Sequence, residues 1–85
     1  MTAQFQTDDD AMTAPATPRL REQLLAQART FPFFNLIGLE ILAIEPRRST
    51  VRVAWRPDLA GPGGLLHGGI TAALIDTGTA YALLL

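Results

Sequence analysis

The alternation of apolar and polar positions divides the chain into four segments after a polar start. Leu20, Leu24, Leu25 and Ala28 recur at helical spacing, with Arg19, Arg21, Glu22 and Arg29 between them. This spacing predicts an amphipathic helix over residues 18–29. Thr17-Pro18 reads as an N-cap followed by proline at the first helical position. Pro32 closes the helix, because the residue before a proline is pushed out of the helical region. Over residues 36–45, Ile37, Leu39 and Ile41 fall on one face and Glu40 on the other, which predicts a strand. Over residues 49–56, Val51, Val53 and Trp55 alternate with Thr50, Arg52, Ala54 and Arg56. That period of two predicts a half-buried antiparallel strand. Glu45-Pro46-Arg47-Arg48 joins the two as a turn with proline at its second position.

Two stretches break these periods. Phe31-Pro32-Phe33-Phe34 is an aromatic connector whose rings either cap the core or line an apolar pocket. Residues 58–66 form a loop rich in glycine and proline. From there to the end, residues 69–85 are apolar on nearly every face, and their alanines and leucines favour helix over strand. A helix apolar all round belongs in a protein interior or a membrane. Its length reaches only the lower limit for a membrane span. Asp76 lies mid-segment, where a carboxylate costs roughly 2.5–3.5 kcal/mol to insert. No membrane association is therefore expected. The final Leu83-Leu84-Leu85 carries no helix-stopping residue, so the chain reads as the first part of a longer domain.

Composition narrows the classes. Eighty-five residues make one small domain at most, and 48% of them are hydrophobic. A chain this small buries only roughly 60% of its unfolded surface, so apolar surface is left over for a partner. Residues 1–17 are rich in Thr, Ala, Asp, Gln and Pro and read as a disordered tail before a domain at 18–85. They lack the basic and apolar regions of a secretory signal. There is no cysteine, hence no disulfide, zinc-thiolate site or thiol nucleophile, which fits a cytoplasmic protein. A net charge of −1 gives no electrostatic case for nucleic acid. All seven cations are arginines, and four of them (Arg47, Arg48, Arg52, Arg56) fall within ten residues. They are either a solvated strand face or a surface for the phosphates of a nucleotide-bearing substrate.

The candidate chemistry lies between residues 61 and 76. His67 is the sole histidine, and it stands where the glycine-rich loop gives way to the last helix. Asp76, nine residues later, is the only charged residue from Gly68 to Leu85. A carboxylate buried in apolar surroundings has a raised pKa and can act as a base toward water, or as a nucleophile. Backbone N–H groups near Gly68 would lie unpaired at a helix N-terminus and could polarise a carbonyl. His67 reads as a positioning residue or a helix-entry residue, and Asp76 as either a reactive or a structural acid. The spacings of a P-loop or a dinucleotide fingerprint are absent, and no metal site or cofactor is expected.

His67-Gly68-Gly69, then Leu74-Ile75-Asp76, then Ala80 and Ala82, behind a glycine-rich turn, resemble the hotdog-fold acyl-CoA thioesterases of the phenylacetate-degradation type. The resemblance covers residues 33–85. It implies an α+β fold in which a curved antiparallel sheet wraps a long central helix. Here that would be the N-terminal part: a helix, a β-hairpin and the central helix. It implies a homodimer or homotetramer, with sites at the dimer interface that hydrolyse acyl-CoA to free acid and CoA. On that pattern Asp76 is the general base or nucleophile, Gly68 gives the oxyanion contact, and His67 positions the turn. Gly69, Gly61 and Gly64 are candidate substrate contacts. The acid of one protomer would work with the amide of the other. Members of the family usually carry asparagine six residues before the histidine, where this chain has Gly61. That departure keeps a second reading open, a non-catalytic hotdog module that binds acyl thioesters or supports assembly.

Overall fold

The computed structural model describes residues 1–6 and 18–85, and its elements follow in the order β1 (Thr2–Gln6), α1 (Pro18–Ala28), α2 (Pro32–Ile37), β2 (Leu39–Glu45), β3 (Arg48–Val53) and α3 (Gly68–Ala82). The class is α+β, with one antiparallel sheet of strand order β1-β3-β2. The first helix, the hairpin and the final helix lie where the pattern predicts them, but β3 ends at Val53 rather than at residue 56, and the final helix, expected over 69–85, ends at Ala82 with Leu83 as its C-cap. The N-cap expected at Thr17 lies outside the described residues.

Two elements depart from expectation. Residues 1–17 read as a tail, yet Thr2–Gln6 pair with β3 from Thr2↔Arg52 to Gln6↔Arg48. The Met1 ammonium donates to the Val53 carbonyl at 2.7 Å. Residues 7–17 lie outside the described set. The predicted strand over 36–45 begins only at Leu39, because Leu36 and Ile37 belong to α2. Gly38 ends that short helix in the left-handed region (φ 72°), a conformation glycine adopts without steric cost. Of the connector rings only Phe34 packs against the core, with Phe31 edge-on to it at 5.3 Å, while Phe33 is exposed.

The hairpin sets which side chains turn inward. Ile41 pairs with Val51 and Ala43 with Thr50, so Leu42 bulges out of the ladder. The bulge shifts the phase of β2 by one residue. Leu39 before it and Ile44 after it are therefore both buried. On β3, Ser49, Val51 and Val53 face inward, each 1% exposed or less. Trp55, expected to continue that face, lies beyond the strand and is exposed.

The last helix is not buried all round. Leu74, Thr77, Gly78, Tyr81 and Ala82 form its buried stripe, at the three- and four-residue spacing of one helix face. Leu74 joins Ile37, Leu39, Val51, Val53 and Leu59 in one cluster, and Tyr81 joins Ala28 and Ile44 in another. The Ser49 hydroxyl donates to the Gly78 carbonyl at 2.7 Å, which fixes the helix against β3. Ala72, Ile75, Asp76, Thr79 and Ala80 are left facing outward. Among the described residues, no helix is long and apolar enough to cross a membrane.

Candidate functional site

The loop between β3 and α3 folds back on itself and delivers His67 to the head of the helix. A 3-10 turn at Pro57–Leu59 ends in Ala60, which bridges antiparallel to Leu66. The Gly61 amide donates to the Leu65 carbonyl at 2.7 Å, and the Gly64 amide to the Gly61 carbonyl at 3.2 Å. Gly63 and Gly64 take φ of 84° and 79° at the tip, which only glycine adopts cheaply. The His67 amide donates to the Leu59 carbonyl at 2.9 Å, so the loop closes where the helix starts.

His67 caps that helix. Its backbone is extended (φ −62°, ψ 135°), and its Nδ1 accepts from the Gly69 amide at 2.8 Å. This satisfies one of the orphan donors of the first turn. The two glycines that follow do different things. A Cβ on Gly69 would stand 2.9 Å from His67 Nδ1, so glycine there lets the imidazole reach the backbone. A Cβ on Gly68 would meet nothing within 4 Å. The exposed Gly68 amide finds no partner among the described residues.

A cavity of about 420 Å³ opens beside this turn, lined by Leu36, Ile37, Arg56, Asp58, Leu59, Ala60, His67 and Ile70. It is an apolar hollow with an imidazole, a guanidinium and a carboxylate on its wall. An Arg56 Nη2 donates to the Leu36 carbonyl, tying the strand exit to the end of α2. Arg56 and Asp58 are site-wall residues that the motif alone does not mark. The available signal was a charged residue on each side of Pro57, in a loop that must return to His67.

Other predicted residues fall apart from this cavity. Gly61 lies against His67, where a Cβ would be 3.3 Å from its Cα and 3.4 Å from its Cδ2. Gly64 sits at the loop tip, in the open. Neither they nor Gly68 and Gly69 line the hollow. Asp76 is exposed, and its carboxylate makes no hydrogen bond or ion pair to the described residues. The expectation of an acid buried in apolar surroundings is corrected here. The buried stripe of α3 passes through Leu74, Thr77 and Gly78 and leaves position 76 on the outer face. Eight residues of helix also separate Asp76 from Gly68, about 12 Å along the axis. Within one chain the two do not meet. Among the described residues, no three His, Cys, Asp or Glu side chains gather where they could hold a metal ion.

Compared with known proteins, the chain matches no family model, no curated protein and no solved structure.

Proposed function

We propose that this chain carries the helix-bearing part of a hotdog-type acyl-CoA thioesterase domain that works as a homo-oligomer. The observation that supports this most is the start of α3. A histidine-capped turn presents the Gly68 amide, unpartnered, to open space at the positive end of an apolar helix. In this reading the Gly68 N–H donates to the thioester carbonyl oxygen and stabilises the charge that develops there. The Asp76 carboxylate of a second copy takes a proton from water as the water oxygen bonds to the carbonyl carbon. The carbon–sulfur bond then breaks, and the leaving thiolate takes up a proton. The acyl chain lies along Leu36, Ile37, Leu59 and Ile70. His67 holds the turn and does not act as the base, because its Nδ1 is committed to the Gly69 amide.

Two observations favour the second reading, a module that binds acyl thioesters without cleaving them. Gly61 offers no side chain beside His67, and Asp76 has no second group among the described residues to orient it. Thiol release from a panel of acyl-CoA esters, short aliphatic to aromatic, separates the two. For a thioesterase, turnover collapses in Asp76→Asn by about 100-fold or more, the loss typical of a general base. A binder shows no turnover in either form, and Asp76→Asn keeps its affinity.

A further inference from the structure

The cap on α3 works in one protonation state only. His67 Nδ1 accepts from the Gly69 amide at 2.8 Å. A ring nitrogen that accepts carries no proton, so the single proton of the neutral imidazole sits on Nε2. Nε2 has no partner among the described residues, and His67 is exposed, so solvent reaches the ring. When the ring takes a second proton, Nδ1 becomes a donor and faces the Gly69 N–H across the same gap. The contact that held the turn then repels it. The imidazolium also stands at the positive end of the helix, where a cation is disfavoured.

The first turn has little else to hold it. Gly68 and Gly69 open α3, and glycine is the poorest helix former short of proline. The His67 backbone is held separately. Its amide donates to the Leu59 carbonyl and its carbonyl accepts from the Ile70 amide, both at 2.9 Å. What protonation loosens is the Gly68-Gly69 pair between those two anchors. The charges beside the ring are one of each sign: Asp58 from the 3-10 turn and Arg56 from beyond β3 line the same cavity as His67. Leu36 and Ile37 of α2 and Ile70 of α3, also in that lining, are apolar. Asp76, the one charged residue of α3, is nine residues on, about 13 Å along the axis.

We propose that His67 is an acid-sensitive latch on the candidate site. Neutral, it fixes the first turn of α3 and the direction of the Gly68 amide; protonated, it releases both. Control over thioester cleavage rests on the function proposed above, and the latch itself does not. Histidine is the side-chain type that changes charge between about pH 5 and 8. The geometry sets the sign: the cap is complete on the alkaline side of the ring's titration and is lost as pH falls through it.

Nitrogen-15 NMR of the full chain tests the latch without substrate. The chain has one histidine, so its ring signals need no assignment. At about pH 8, Nδ1 should report an unprotonated, accepting nitrogen and Nε2 a protonated one. On acidification the Gly69 amide signal should shift along the same titration curve as the ring. Urea midpoints of the unaltered chain should fall between about pH 8 and 5.5, as the folding constant drops about fivefold with the lost cap. In His67→Asn, whose amide oxygen caps a helix at any pH, that fall should vanish. A proton on Nδ1 on the alkaline side, a Gly69 amide that ignores the ring's titration, or the same pH dependence in His67→Asn overturns the latch. Thiol release then reads the control of the site. For a thioesterase, turnover should fall about fivefold over that range and stay level in His67→Asn. An acid limb identical in both forms overturns the control. A chain that passes the NMR test and cleaves nothing keeps the latch, and only the proposed function fails.

Discussion

Tyr81 shows how far a single residue's surroundings set its chemistry. It is 8% exposed, packed with Ala28 and Ile44 and tilted against Phe34 at 6.5 Å. Burial pushes its phenol above the ordinary value of 10.0, because the phenolate would lose its hydration. A group whose pKa rises on folding contributes stability that is complete below its unfolded pKa. That contribution is lost as pH climbs through the folded pKa. The chain has no lysine, no cysteine and one tyrosine, and arginine stays charged to about pH 12. Tyr81 is therefore the one side chain that loses a proton in the alkaline range. Urea midpoints should fall as pH is raised past 10, and Tyr81→Phe should remove that fall. A parallel fall in the variant would place the alkaline loss elsewhere. His67 was legible at this scale, since a lone histidine before Gly-Gly at a helix start is a local signal. The exposure of Asp76 was not. An apolar run does not say which of its faces packs, and the stripe through Leu74, Gly78 and Tyr81 turns position 76 outward.

At the scale of elements, the docking of β1 rests on one glycine. A Cβ on Gly78 would stand 2.1 Å from Cδ2 and Cε2 of Phe5, so the ring of β1 lies where a side chain of α3 would be. Two opposed effects can be weighed here. Alanine in place of a mid-helix glycine gains about 1 kcal/mol of helix propensity. Forcing an extra carbon into a packed contact costs typically 1–3 kcal/mol. With Phe5 in place the second wins, and Gly78→Ala should destabilise by up to about 2 kcal/mol in urea melts. In a Phe5→Ala background the clash is gone, and the same change should stabilise by up to about 1 kcal/mol. A stabilising Gly78→Ala in the otherwise unchanged chain would mean that β1 does not pack on α3. This strand was the element hardest to read from sequence. Ala3 and Phe5 do alternate with Thr2, Gln4 and Gln6, but the period lasts only five residues and opens a polar, acid-bearing stretch. Composition outweighed it. The hairpin was legible because β3 alternates cleanly and Pro46 marks the turn. The start of β2 is not legible in the sequence because Leu36 and Ile37 suit a helix as well as a strand, and only the left-handed Gly38 divides them.

At the scale of the whole molecule, the proposed chemistry requires more than one copy. Gly68 and Asp76 lie on one helix about 12 Å apart, and no fluctuation of a packed helix closes that gap. Large apolar side chains are left exposed: Leu65 is 76% exposed, Leu36 68% and Leu83 65%, with Ile75 exposed next to Asp76 in the chain. Exposed apolar surface of this kind suits a contact between copies. On α3, the residues one helical turn either side of Asp76 are Ala72, Ala73, Thr79 and Ala80, all small and all exposed except the half-buried Ala73, which leaves its carboxylate open to an approaching chain. A complementation experiment follows from this geometry. Gly68→Pro deletes the one amide assigned to the carbonyl. Proline suits the first helical position, His67 already has the extended backbone that precedes a proline, and the space beside Gly68 is empty. Asp76→Asn deletes the acid and keeps the shape. Each variant alone should be inactive in thiol release. If amide and acid come from different copies, unfolding and refolding the two variants together makes mixed oligomers with one intact pair, and turnover returns. If both groups act from one copy, every chain in the mixture is defective and turnover stays absent. The second outcome would overturn the shared site even if the unaltered protein cleaves thioesters.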